Sequence, residues 1–144
     1  MSDLYDTDIL LWSEHQAELL RRLGQGERVN DQIDWENVAE EIESVGRNDL
    51  NTVKSHLIQA LLHDLKARAW PGSREVPHWQ DETLLHRSEA QLRFAPSMAQ
   101  RIDVGELYRR ARRLMPKTID GQPPLPVPDV CPVTLDEMLA EAPG

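Results

Sequence analysis

Residues 34–70 read DWENVAEEIESVGRNDLNTVKSHLIQALLHDLKARAW, with no proline before Pro71. The stretch predicts one long helix, and what that helix must bury arranges the rest of the chain. Asp34 is the expected N-cap, because its carboxylate can accept from an unpaired first-turn amide. Glu36, Glu40 and Glu41 suit the positive pole of the helix, and Lys66 and Arg68 suit the negative one. Trp70-Pro71-Gly72 ends the helix, since the residue before a proline is driven out of the α region.

Two apolar stripes run along this helix. Trp35, Val38, Ile42 and Val45 recur at steps of three and four, and the same steps lead on through Asp49, Thr52 or Val53, His56, Ala60, His63, Ala67 and Trp70. A second stripe begins halfway, at Leu57, Ile58, Leu61, Leu62 and Leu65. At about 100° per residue the second stripe lies well round from the first. The C-terminal half is therefore expected to be buried on most sides, and the first half on one. Gly46 offers either a bend or a close helix crossing, or simply a position that tolerates a small residue.

The chain has 144 residues, a length that suits one domain from 1 to 144 with one core. With one phenylalanine, seven glycines and almost no valine–threonine alternation, the composition argues against a sheet. No apolar run approaches the ~18 residues of a membrane span, and the opening MSDLYDTDILLW lacks the basic start of a signal peptide. A single cysteine, Cys131, precludes an internal disulfide, which points to the cytoplasm. The formal charge of −9 disfavours nucleic acid and anionic membranes as partners.

Taken in order, Asp6 or Thr7 is expected to cap a first helix from about Asp8 to Leu23, with Ile9, Trp12, Leu19, Leu20 and Leu23 as its apolar side. GQGERVNDQ then reads as a loop. After the long helix, Trp79 to Phe94 predicts a third, with Trp79, Thr83, Leu84, Leu85 and Leu92 available for burial. Ser97 can cap a short turn from Met98 to Ile102, and Asp103 a helix from Val104 to about Met115. That helix buries Val104, Leu107, Tyr108, Ala111 and Leu114, and its other side is basic. The segment 120–133 is proline-rich and so irregular. Thr134 and Glu137 form a capping box for a final helix, Leu135 to Glu141. The expected fold is all-α: a small antiparallel bundle around one long helix at about 35–70, with a short C-terminal helix on a proline-rich tail.

Tyr5-Asp6-Thr7-Asp8, Asp34-Trp35-Glu36-Asn37 with Glu40-Glu41-Ile42-Glu43, His63 with Lys66, Trp70-Pro71 and Trp79 form a recognisable series. Pro96-Ser97-Met98, Tyr108 with Ala111-Arg112, and Cys131-Pro132-Val133-Thr134-Leu135 continue it. In these residues the chain resembles the bacterial domain of unknown function 29 family over nearly its whole length. Asp64 stands where leucine is common in that family. The resemblance implies an all-helical fold and no established activity, ligand or catalytic residue.

Three constellations can carry chemistry. Asp49, His56 and His63 lie seven apart on one face, so each step is about 10 Å. That is too long for two of them to share one metal ion, and a site needs further ligands such as His15 and Glu14, or Glu82 and His86. Glu82-x-x-x-His86 has a one-face spacing suited to chelation; Glu75-x-x-His78 is spoiled as a helical pair by Pro77. The favoured reading makes His56 and His63 hydrogen-bonded interior groups. Glu40, Glu41 and Glu43 beside Trp35 are a candidate acid–base set, with a solvated acidic face as the favoured alternative. A third reading lets one of these glutamates meet Lys66, Arg87 or an arginine of the basic helix. RRARR at 109–113 can meet a phosphate, but pairing with the acidic first half of the long helix, within or between subunits, is simpler. Cys131 has no local histidine to activate it and is expected to be inert.

No Gly-rich phosphate loop, G-x-S-x-G, H-E-x-x-H or C-x-x-C pattern is present, so no cofactor is expected. The leading expectation is a non-enzymatic helical module that binds another protein or its own copy through Glu36, Glu40, Glu43, Arg109, Arg112 and Arg113. The alternative is a metal-dependent or hydrolytic enzyme around His63, with His56, Asp49 and a glutamate, and with Glu40, Glu41 and Lys66 as further catalytic candidates.

Overall fold

A computed structural model describes residues 3–140, and in it the described residues form helices joined by turns. In chain order these are α1 (Asp3–Thr7), α2 (Ile9–Gly24), a 3-10 turn (Asn30–Gln32), α3 (Trp35–Ala69), α4 (Val76–Arg93), a second 3-10 turn (Pro96–Arg101), α5 (Val104–Leu114) and α6 (Leu135–Leu139). The only β pairing among the described residues is an isolated bridge between Ile119 and Gln122. The all-α fold read from the sequence is thus the fold observed, and α3 runs unbroken from Trp35 to Ala69. No described helix is long and apolar enough to cross a membrane. The chain divides into two compact units, Met1–Arg47 and Asn48–Gly144.

In the first unit, Trp12 and Leu19 of α2 pack with Val29, Ile33 and Val38. Tyr5 meets Trp12 edge-on, ring centroids 4.8 Å apart. Asp34 is the junction of this unit. Its backbone N–H donates to the buried Gln16 Oε1 at 2.8 Å, and its carbonyl accepts from Val38 N at 2.9 Å. Its carboxylate accepts from the Trp12 indole at 3.1 Å and from the Asn37 side-chain amide at 2.8 Å. The Asn37 side chain, the Trp12 indole and the Asn37 backbone amide hold this carboxyl below the usual carboxylate range, against the opposing effect of burial.

Several expectations fail here. The cap of α2 is Asp8, whose carboxylate accepts from Leu11 N at 3.0 Å, rather than Asp6 or Thr7, because those residues already belong to α1. Of the four residues that open the first α3 stripe, only Val38 is buried. Trp35, Ile42 and Val45 are 52%, 67% and 67% exposed, since the cover from Trp12, Val29 and Ile33 reaches Val38 and goes no further. Ile9, expected on the buried side of α2, is likewise exposed. Gly46 marks no close crossing: α3 continues through it as helix, and a Cβ there would meet nothing within 4 Å.

In the second unit the leucine-rich half of α3 is the core. Val53, Leu57, Ala60, Leu61, Leu62 and Leu65 pack with Ala90, Met98, Ile102, Leu107, Tyr108, Ala111 and Met138, drawn from α4, the second 3-10 turn, α5 and α6. Residues from several elements surround it, as the second stripe requires. A smaller group joins Ala69, Trp70 and Trp79. The proline-rich segment is tied down by backbone bonds: Leu125 N donates to Ala69 O at 2.9 Å, the Trp70 indole to Gln122 O at 3.0 Å, and the Tyr108 hydroxyl to Pro128 O. Asp120 and Gly121 both take positive φ, 52° and 74°, between residues that exchange backbone bonds, the conformation a tight two-residue turn demands. Cys131 is half-buried and donates to Val133 O at 3.2 Å, and burial pushes its thiol up.

Helix boundaries and faces differ from expectation in four places. α4 starts at Val76, and Pro77 sits in its first turn, where its missing N–H costs nothing, so Pro77 does not exclude His78 from the helix. The buried line of α4 runs Trp79, Thr83, Ala90, leaving Leu84, Leu85 and Leu92 exposed; Leu114 at the end of α5 is exposed too. The second 3-10 turn begins at Pro96, so Ser97 falls inside it rather than capping it, and Ala95 before it makes no side-chain cap bond. The Asp103 cap of α5 and the Thr134–Glu137 capping box of α6 form as read. α6 ends at Leu139, and Glu141, the expected end, lies outside the described residues.

Candidate functional site

Three imidazoles gather between α3 and α4 in the second unit. His56 and His63 lie two turns apart on α3, and His86 of α4 reaches both. Its ring centroid is 5.2 Å from that of His56 and 5.7 Å from that of His63, the latter pair stacked. A seven-residue step alone leaves the α3 pair too distant to interact. The α4 ring is what joins them, and Glu82, one turn before it, adds a carboxylate 3.4 Å from His86 Nε2.

The tautomers follow from the partners. His63 Nδ1 lies 2.7 Å from Gln59 O, and a carbonyl only accepts, so this nitrogen carries the proton. His86 Nε2 faces the Glu82 carboxylate at 3.4 Å, whose negative charge favours the proton on this nitrogen. A neutral His86 then has its lone pair on Nδ1, which lies 2.9 Å from His56 Nδ1; His56 supplies the proton of that bond. Donation in this pair runs from His56 to His86, with the Glu82 carboxylate beside the far nitrogen of the second ring. Burial, followed by the neighbouring His56, holds His86 below the ordinary imidazole range; Glu82 opposes this and His63 adds to it. A second proton on His86 would go to Nδ1 and set two N–H groups against each other.

The sequence candidates separate. His56 and His63 enter this cluster together with Glu82 and His86, the pair picked out by its i,i+4 spacing. Asp49 does not: it is exposed and pairs with Arg93 at 3.8 Å. Lys66 is half-buried with no ion pair or side-chain hydrogen bond among the described residues. Among those residues no group of three or more His, Cys, Asp and Glu side chains is arranged to hold a metal ion. In the first unit, Glu40 and Glu43 turn to Arg47 of their own helix at 2.7 and 3.7 Å, and Glu41 accepts from the Tyr5 hydroxyl. That bond, then burial, then the Glu41 charge push the Tyr5 phenol up to about 12. The arginines of α5 find partners close by: Arg110 pairs with Glu106 at 3.4 Å and Arg112 with Asp129 at 3.9 Å, while Arg109 and Arg113 are exposed. The cluster therefore holds shared protons in a fixed order. No hydroxyl or thiol is hydrogen-bonded to it among the described residues.

Sequence spacing gave no sign of a cleft of about 510 Å³ beside α4. Its walls include Asp64, Arg68, Leu84 and Arg87, residues distant in sequence and of mixed character, so only the packing of α4 on α3 assembles it.

Fold and cluster together define an all-helical protein built on one long helix, with a histidine group packed against it. A family model described as domain of unknown function DUF29 matches residues 4–142, and the chain belongs to that family. The chain is also similar to an alpha-helical protein of unknown function from Rhodospirillum rubrum, known from a crystal structure. The two share 30% sequence identity and a TM-score of 0.70, over 95% of this chain and 89% of that one. No curated protein matches the chain.

Proposed function

We propose that this protein is a non-enzymatic helical module that binds a protein partner through the first half of α3. The observation that carries the reading is the pair Ile42 and Val45, three residues apart on one helix face and each 67% exposed. Apolar side chains laid along one face of a helix are the usual anchors of helix-in-groove recognition. Glu36, Glu40 and Glu43 flank them and are exposed. Residues 1–47 contain twelve carboxylates against four arginines, a formal charge of −8. The partner that fits is therefore a basic segment with an apolar side. The exposed Arg109, Arg112 and Arg113 of a second copy supply the basic element of such a partner, which makes self-association one form of the same reading. A single half-buried thiol suits the reducing cytoplasm.

The test combines light scattering after size-exclusion chromatography, at low and high salt, with cross-linking in lysate. The wild-type protein is expected to associate or to capture a basic partner, more weakly at high salt. Ile42→Asp with Val45→Asp is expected to abolish this while the thermal midpoint is kept. A wild-type protein that stays monomeric and captures nothing the double variant loses would overturn the reading.

A further inference from the structure

The second unit contains a cation without a counter-charge. Arg87 of α4 is half-buried, and its Nε is shut off from solvent with no acceptor within hydrogen-bonding distance. No ion pair or hydrogen bond to any of its nitrogens occurs among the described residues. A guanidinium edge left dry and unmatched is unfavourable, and it raises the attraction of the remaining nitrogens for an anion. Arg87 lines the cleft of about 510 Å³, a volume within the range of small-molecule sites. The second guanidinium on the wall, Arg68, is already neutralised by Asp64 at 2.8 Å, so the cleft has one positive charge to offer. Apolar surface from Ala67, Val76 and the exposed Leu84 lies beside it.

We propose that this cleft binds a small organic carboxylate with an apolar body. The carboxylate forks onto the Arg87 guanidinium, a planar match that a point cation does not offer, and the body lies on Ala67, Val76 and Leu84. One free charge selects a monoanion over a phosphate, whose two charges would leave one unmatched beside Asp64. Asp64 withdraws Arg68 from the ligand.

Benzoate serves as the probe, with benzamide as its neutral shape control and inorganic phosphate as the bare anion. Binding is read from the side-chain Nε–H resonances of the intact protein and from titration calorimetry. Benzoate is expected to shift the Arg87 resonance saturably, and benzamide and phosphate to bind at least about tenfold more weakly. Arg87→Gln is expected to weaken benzoate by at least about tenfold, Arg87→Lys to recover part of it, and Leu84→Ser to weaken it without moving phosphate. The resonance of the unaltered protein keeps the test independent of how well any variant folds. A benzoate titration that leaves Arg87 unmoved, equal binding by phosphate, or unchanged affinity in a folded Arg87→Gln would each overturn the assignment.

Discussion

The imidazoles of His56 and His86 meet Nδ1 to Nδ1 at 2.9 Å across thirty residues of sequence. The bond holds one proton, so it joins α3 to α4 only while one of the two rings keeps a lone pair there. It makes the packing of these helices depend on pH in a direction the geometry settles.

His86 has a folded-state pKa below its ordinary value of about 6.5. Its contribution to stability is therefore complete above about pH 6.5 and is lost as pH falls through the lower, folded value. The groups around it are His56 and His63, which add to this loss when charged, and Glu82, which lessens it. Urea unfolding midpoints measured from pH 8 to pH 5 are expected to decline below about 6.5, and His86→Asn to flatten that decline.

Asp34 acts in a separate, more acid window. Its pKa is depressed, so its contribution is present above about pH 4 and fades as pH drops through the folded value. Asp34→Ala removes the acceptor of the Trp12 indole and of Asn37 together, and is expected to cost about 1–3 kcal/mol at neutral pH. Trp12 fluorescence during urea unfolding measures it.

Leu61 is 2% exposed within the second core. Leu61→Ala is expected to destabilise by about 2–5 kcal/mol. Leu92→Ala, at a position 77% exposed on the far side of α4, is expected to stay within about 0.5 kcal/mol of the parent. Equal effects at the two sites would mean that α4 packs by a different face.

Both tyrosines titrate late. Tyr5 is raised to about 12 by its bond to Glu41, and Tyr108 is raised by burial. A raised phenol favours the folded state below about pH 10, and that preference disappears as pH climbs through the folded value. Absorbance titration is expected to show no tyrosinate step at pH 10. Tyr5→Phe is expected to remove the step near 12 without altering the late rise from Tyr108.

The long helix was legible because its period and its caps agree over many turns: Asp34 at one end, Trp70-Pro71 at the other, and leucines on two faces between them. Its first half was misread at Trp35, Ile42 and Val45, since a stripe records a capacity for burial and only a neighbour realises it. The same limit applied to Leu84, Leu85 and Leu92 on α4. Of the site, spacing picked out His56, His63 and the Glu82–His86 pair but placed Asp49 with them, because one helix face is readable and the rotation of a second helix against it is not. The Arg87 cleft depends wholly on that rotation, and no local pattern announces it.

Cys131 follows the proline-rich segment that is bonded to Ala69 and Trp70, and its thiol is held protonated by burial. Alkylation at neutral pH is therefore slowed while this strap is docked and speeds up when it detaches. The labelling rate becomes a clock for one local motion, and a protein with a single sulfhydryl comes with that reporter already installed.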